Sequence, residues 1–349
     1  MKVDVLCGEP QFIDHIAPVY LALPKARRGA FIVRRGASTE LTLDELDDRA
    51  RLRGVEPSHE GDASRPILVA SWGDYKRVRG KREHIIRMEH GIGQSFLDIT
   101  HPSYAGGNGS EAVGLFLTPN EHSADRWRRA YPETPVAVVG SPHLDALPKR
   151  KPGPGPVIAI SFHWGSLPSR RSPIAEQFGS FYEYAPMIRT LSRHFTVLGH
   201  GHPRDFRRFA RLYRRAGIEP VRDFHEVLER ADVYVCDTNS TLFEFASTGR
   251  PVVVVNGRHF RRDVEHGLRF WEASGVGVNC DSPADLVPSI RAALDDHHQA
   301  ERERALGIVY AHRKGSAKRA AKAIGDWLDE RYETIDTSRA VTVLSVATT

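Results

Sequence analysis

Short apolar runs rich in Val, Ile and Leu alternate along this chain with longer stretches in which apolar residues recur every three or four positions. The short runs at 3–6, 31–33, 67–70, 85–88, 115–117 and 136–139 have the length and branching of buried strands. The stretches at 12–23, 41–52 and 121–131 have the period of amphipathic helices. Strands separated by helices pair in parallel, because the crossover carries the chain back to its starting edge. At Leu147-Pro-Lys-Arg-Lys-Pro-Gly-Pro-Gly-Pro156 the alternation stops, and four prolines and two glycines predict a linker.

A second series follows, with strands predicted at 157–161, 195–198, 233–236, 252–255 and 276–279. Helices are predicted at 181–192, 205–216, 222–230, 242–246, 283–295 and 300–330, the last broken near Gly315. The expected organisation is a first α/β domain over 1–148, a linker at 149–156 and a second α/β domain over 157–310. A helix at 311–332 is expected to pack back on the first domain, and the Ser/Thr-rich tail at 333–349 to lack regular structure. Two such domains imply a cleft, with ligands outside the carboxyl ends of the strands.

Composition narrows the partners only slightly. There are 49 Lys+Arg against 44 Asp+Glu, a balance that favours an anionic partner such as a nucleotide, a phosphorylated polymer or an acidic surface. The three cysteines, Cys7, Cys236 and Cys280, are too scattered for a disulfide framework or a zinc motif, which fits a reducing cytoplasm. No run is long enough to span a membrane, so a soluble cytoplasmic protein is expected, with a peripheral contact to an anionic membrane surface left open.

Polar and glycine-rich sequence marks three strand ends. After 85–88 comes Glu89-His90-Gly91-Ile92-Gly93, where two glycines leave an imidazole on an unobstructed loop, suited to take a hydroxyl proton. After 195–198 comes His200-Gly-His202-Pro-Arg204, whose His202 and Arg204 are placed to stabilise a negative leaving group. His200 and His202 alternate, but no third ligand follows at a metal-site spacing, and no metal is expected. After 233–236 comes Asp237-Thr238-Asn239-Ser240-Thr241 at a helix start, a place that suits an anion. Thr241 and Glu244 also have the spacing of a capping box, so a plain helix cap stands beside the phosphate reading. Val139-Gly-Ser-Pro-His-Leu-Asp145 reads most simply as a turn feeding the linker.

Four of these segments, in order, resemble the CDP-glycerol glycerophosphotransferase group of teichoic-acid-type polymerases. His90-Gly91 is similar to that family's His-Gly motif, and Gly140-Ser-Pro142-His-Leu-Asp145 to its Gly-x-Pro-x-x-Asp segment. His202-Pro203 resembles its His-Pro motif, and Asp237-Thr-Asn-Ser240-Thr-Leu-Phe243-Glu-Phe245-Ala246 with Arg250-Pro251 its Asp-Tyr-Ser-Ser-x-x-Phe-Asp-Phe-Ala segment. The likeness spans about residues 85–256, with Glu89 where the family has Trp, and Thr238 and Asn239 where it has Tyr and Ser. It implies the GT-B fold, two Rossmann-like domains facing across a cleft. It also implies a nucleoside-diphosphate-activated donor as substrate, no cofactor, and metal-independent transfer of a sugar or glycerol phosphate to a hydroxyl of a glycan, polymer or protein. By carry-over His90 is the base, while His202, Ser240 and Thr241 hold the donor diphosphate; Asn239 and Arg204 join them by position, with Glu89, Gly91, Gly93, Asp237 and Glu244 elsewhere in the cleft.

Two other readings compete. A nucleotide-sugar epimerase on the same fold would need acidic residues in the cleft, for which Glu89 and Asp237 are the candidates. A non-enzymatic binder of nucleic acid or anionic polymer would use the basic run Lys76-Arg-Val-Arg-Gly-Lys-Arg82 with Arg207, Arg208, Arg211, Arg214 and Arg215. Little aromatic interleaving accompanies those cations, so an acceptor-side role for the 76–82 run is preferred.

Overall fold

The computed structural model describes residues 1–91, 100, 102, 105–164, 180–237, 239–257 and 275–346, without the side chains of 332–346. Its first half holds β1 (Val3–Cys7), α1 (Pro10–Ala22), β2 (Arg28–Val33), α2 (Leu43–Leu52), β3 (Ile67–Val69), α3 (Trp72–Val78), β4 (Ile85–Met88), β5 (Val113–Thr118), α4 (Glu121–Ala130) and β6 (Val136–Val138). The second half holds β7 (Val157–Ser161), α5 (Phe181–Leu191), β8 (Thr196–Gly199), α6 (Phe206–Arg215), β9 (Glu219–Pro220), α7 (Phe224–Arg230), β10 (Val233–Cys236), α8 (Thr241–Ala246), β11 (Val252–Val255), β12 (Val278–Cys280), α9 (Leu286–Leu294), α10 (Gln299–Val309) and α11 (Ser316–Val346).

Among the described residues the strands form two six-stranded sheets, ordered β2-β1-β3-β4-β5-β6 and β12-β11-β10-β7-β8-β9. Every pairing in both sheets is parallel. The central strands are apolar throughout because helices cover both faces: the four valines of β11 are all fully buried. Each sheet reverses its strand order once, between β1 and β3 in the first and between β7 and β10 in the second. Such switch points open a crevice at the strands' carboxyl ends.

Helix α11 covers the first sheet, not the second. Ala320, Ala321, Ile324, Trp327 and Leu328 lie in one buried cluster with Ile13, Ile16 and Val19 of α1. It begins where Gly315 takes a left-handed φ of 70°, and Asp145 accepts the N–H groups of Gly315 at 2.6 Å and Ala317 at 2.8 Å. The segment read as a turn at 140–145 thus holds the helix that returns across the molecule. The expectation of an irregular tail at 333–349 is corrected as far as Val346, to which the α11 backbone continues as helix; residues 347–349 lie outside the described residues. Strand β9 was not anticipated; two residues at a sheet edge carry no periodicity.

Candidate functional site

The two switch points face one another across a cavity of about 810 Å³, whose lining includes His90, His202, Asn239, Ser240, Thr241 and Glu244. Ligand pockets commonly hold roughly 300–1,000 Å³. Among the described residues no helix is long and apolar enough to cross a membrane.

His90 stands at the end of β4, beside the end of β3. Its Nδ1 donates to the Ala70 carbonyl, which leaves Nε2 as the nitrogen with a lone pair. The ring of Phe12 meets it edge-on at 4.5 Å. Crowding by the cleft walls, then the nearby His15, pushes the imidazole below its ordinary pKa, while its outer edge stays exposed to the cavity. His90 is therefore neutral at neutral pH, the state a proton acceptor requires. Gly91 follows with φ 68°, and a Cβ there would lie 2.5 Å from Ser240 Oγ. The His-Gly loop of one half thus touches the hydroxyl loop of the other. Gly93 lies outside the described residues, as does Thr238.

On the opposite wall, His202 Nδ1 accepts the Arg204 backbone N–H at 3.2 Å, so the neutral ring carries its proton on Nε2. Burial, then His163 with its ring centroid 5.3 Å away, holds His202 well below the usual histidine range. A neutral N–H donor results at the cavity wall. Arg204 meets Glu9 of the other half at 3.0 and 3.3 Å and lies 5.1 Å over the Trp164 ring. Its charge is therefore shared with a carboxylate instead of facing the cavity alone. His200 separates from His202: its Nδ1 donates to the Val221 carbonyl at 2.9 Å.

The loop after β10 corrects two expectations. Ser240 is the N-cap of α8, but no side chain caps the helix, and the capping box of Thr241 with Glu244 is not formed. Thr241 Oγ1 shares a hydrogen bond with the Tyr234 hydroxyl at 2.8 Å, and Glu244 turns toward His143. Asp237, expected in the cleft, is buried instead. Its Oδ1 accepts the His163 N–H at 2.8 Å and its Oδ2 the Ser180 N–H at 3.2 Å, tying the end of β10 to the end of β7 and the start of α5. Asn239 is buried at the cavity wall.

Glu89, half-buried beside His90, accepts the Trp127 Nε1–H at 2.6 Å through Oε1, while its buried Oε2 has no partner within hydrogen-bond geometry among the described residues. Burial raises its pKa. Below it Arg87 is buried 4.9 Å from the Trp127 ring centroid, its charge held by the Pro102 carbonyl at 2.8 Å and by Ser110.

Sequence reasoning missed the floor of the cleft. Asp14 on α1 takes Arg49 Nε at 2.9 Å and Arg53 Nε at 2.8 Å, from α2 and its C-cap. The same guanidiniums reach Asp223, before α7 of the other half, at 2.6 and 3.4 Å. Burial alone would raise the Asp14 carboxyl, yet the two arginines hold it well below the carboxylate range. Beside this bridge, Glu244 Oε2 lies 3.1 Å from His143 Nδ1, and Glu244 Oε1 3.4 Å from His15 Nε2. His143 Nε2 lies 3.0 Å from His225 Nε2. Only His143 had a findable signal, a histidine inside a motif already singled out. His163, two residues beyond β7, had the same strand-end position as the residues that were found.

No protein-family model matches the chain, and no curated protein matches it significantly. Solved structures do match over nearly its whole length. A putative UDP-N-acetylglucosamine 2-epimerase from Listeria monocytogenes is 14% identical with a TM-score of 0.60, over 95% of this chain and 97% of that one. The UDP-GlcNAc 2-epimerase from Neisseria meningitidis, solved with UDP-GlcNAc bound, is 15% identical with a TM-score of 0.56, over 95% and 100%. The wall teichoic acid polymerase TagF is 12% identical with a TM-score of 0.57, over 96% and 90%. At these identities the likeness is one of fold: the chain has the GT-B fold, with two parallel-sheet halves facing across a cleft.

Proposed function

We propose that this protein is a GT-B transferase that moves a sugar or glycerol phosphate from a nucleoside-diphosphate-activated donor to an acceptor hydroxyl. One observation carries the reading. His90 is neutral, its Nδ1 is engaged by the Ala70 carbonyl, and its loop meets Ser240 across a cavity of nucleotide-donor size. The acceptor hydroxyl would give its proton to His90 Nε2 as its oxygen attacks the donor. His202 Nε2–H and Ser240 Oγ would bind the donor's diphosphate, which leaves whole as nucleoside diphosphate when a sugar is transferred and is split, leaving nucleoside monophosphate, when glycerol phosphate is transferred, with no metal ion in contact with it. Positioning and charge stabilisation then supply most of the rate. The fold is shared with a wall teichoic acid polymerase and with a UDP-GlcNAc 2-epimerase solved with UDP-GlcNAc bound, which supports a nucleotide-activated donor.

A second reading, a nucleotide-sugar epimerase, is favoured by Glu89 at the cavity wall, whose buried Oε2 has no partner within hydrogen-bond geometry among the described residues. One experiment separates the two. CDP, UDP, GDP and ADP are screened by thermal shift, and the one that binds gains about 2.7 kcal/mol of stability at 100 times its Kd. Donors carrying that nucleotide are then incubated without any acceptor. Release of nucleotide only when an acceptor is added supports the transferase, as nucleoside diphosphate if a sugar moves and as nucleoside monophosphate if glycerol phosphate moves; conversion of the intact donor to an isomer without acceptor assigns the epimerase. Binding of none of the four removes both.

A further inference from the structure

We infer that His15, His143 and Glu244 form a binding site for one divalent transition-metal ion of the zinc class, which pins the two halves together at the floor of the cleft. The inference stands apart from the transferase reading, and it concerns residues that neither the strand-end motifs nor the proposed chemistry uses.

The three side chains come from three places: α1 of the first half, the turn before the linker, and α8 of the second half. One ligand atom from each lies within 4.8 Å of the other two, and all three residues are buried. The Glu244 oxygens stand 3.4 Å from His15 Nε2 and 3.1 Å from His143 Nδ1. Ligands about 2.0–2.2 Å from a tetrahedral ion lie roughly 3.3 Å from one another, and two histidines with one carboxylate is an established three-ligand set for zinc. The His15 and His143 ring centroids are 4.8 Å apart, as two rings sharing one such ion would be. All three residues line the cavity, so a fourth position would open toward it.

Charge and hydrogen bonding argue for an ion over a proton. The floor holds three carboxylates, Asp14, Asp223 and Glu244, against two guanidiniums, Arg49 and Arg53. One buried negative charge therefore needs a counter-charge. A proton on His143 would supply it, but Glu244 Oε1, 3.4 Å from His15 Nε2, has no hydrogen-bond partner among the described residues, and a proton on His143 leaves it so. An ion on His15 Nε2, His143 Nδ1 and Glu244 engages the orphaned oxygen and uses the His15 ring. His143 Nε2–H would then donate to His225 Nε2 at 3.0 Å, the outer-ring contact that fixes a metal-bound imidazole. The second candidate group, Asp14 with His143 and His225, is less suited, because Asp14 is already held by Arg49 and Arg53.

The test uses the full chain, stripped with EDTA and titrated with Zn²⁺ and with Co²⁺ as an absorbing reporter, in parallel with metal analysis of the protein as purified. Expected are one ion per chain, a Tm raised by the ion, and affinity that falls as pH is lowered, since the ligands must lose protons. His15→Ala and Glu244→Gln should each weaken binding at least about 100-fold, whereas His225→Ala, which removes only the outer contact, should weaken it roughly 10-fold. Absence of stoichiometric binding by the wild-type chain overturns the inference whether or not any variant folds. So does binding that survives His15→Ala but is lost in His225→Ala, which would move the ion to the Asp14 side.

Discussion

The cleft contains two groups of histidines that differ in what holds them. In the upper group, His90, His163 and His202 hydrogen-bond to main chain: the carbonyls of Ala70 and Trp164, and the N–H of Arg204. In the lower group, His15 and His143 face Glu244, and His225 meets His143. Burial opposes the charged form in both. Desolvation wins at His90, by the cleft walls around its inner edge, and at His202, and both pKa values fall; at His143 the Glu244 carboxylate outweighs it and the value rises. One side-chain type thus serves two purposes. Where its partner is a main-chain dipole, as at His90 and His202, the imidazole is held in its neutral form; where its partner is a carboxylate from the other half, as at His143, it joins the two halves.

Removing a member of the upper group should cost activity without stability. His90→Ala is expected to lower turnover about 10²–10⁴-fold, the usual worth of a general base, with donor affinity changed by less than about threefold. Single-turnover rates and nucleotide titration would measure both. A loss of donor affinity with turnover intact would make His90 a phosphate ligand instead.

Removing the ion-pair bridge beside the lower group should do the reverse. Asp14→Ala leaves Arg49 and Arg53 with Asp223 alone, and breaking a buried pair typically costs about 3–5 kcal/mol. Denaturant unfolding should show that loss. A change under about 1 kcal/mol would mean that the bridge is solvated and the contrast between the two groups is overstated.

A buried carboxylate whose cation stands off offers the complementary case. Asp74 accepts the Gly8 N–H at 3.1 Å and the Ser71 hydroxyl at 2.9 Å, but Arg77 is 3.6 Å away, and burial pushes its pKa up to about 6. The folded state then keeps the proton over a pH range where the unfolded chain, near 3.9, has lost it. Stability from this group is therefore greatest at low pH and falls as pH rises from about 4 to about 6, by on the order of 3 kcal/mol. The stability difference between wild type and Asp74→Asn, followed from pH 4 to 7, should decline by that amount; a flat difference would mean that the carboxyl titrates normally.

The contrast also explains what could be read from the sequence. Strand ends were legible because β-branched runs such as 252–255 stop where polar loops begin, and that placed His90, His202 and Ser240 around one cleft. The floor was not legible. His15 sits inside a helical pattern and Asp14, Arg49 and Asp223 on three separate helices or their caps, so no local spacing connects them. Glu244 was misread for the same reason. Thr241-x-x-Glu244 satisfies the local rule for a capping box, but the charge of a histidine 101 residues away in sequence takes the carboxylate instead. Local rules identified strand-end groups on the cavity wall; groups paired with the other half needed the tertiary structure.

The smallest expected effect tests where the halves meet. Gly91→Ala places a Cβ 2.5 Å from Ser240 Oγ and 2.8 Å from Ser240 Cβ, on a residue whose φ is already 68°. The left-handed backbone alone should cost about 1 kcal/mol, and the contact should add to it by pressing the two loops apart. Ser240→Gly deletes both atoms that the new Cβ would meet. The double variant should therefore recover the contact part and keep the backbone part, giving a favourable coupling of roughly 0.5–2 kcal/mol in a double-mutant cycle of unfolding stabilities. Additive losses would mean that His90 and Ser240 are not held against one another in the resting protein, and that only a bound donor brings the upper histidines to the hydroxyl loop.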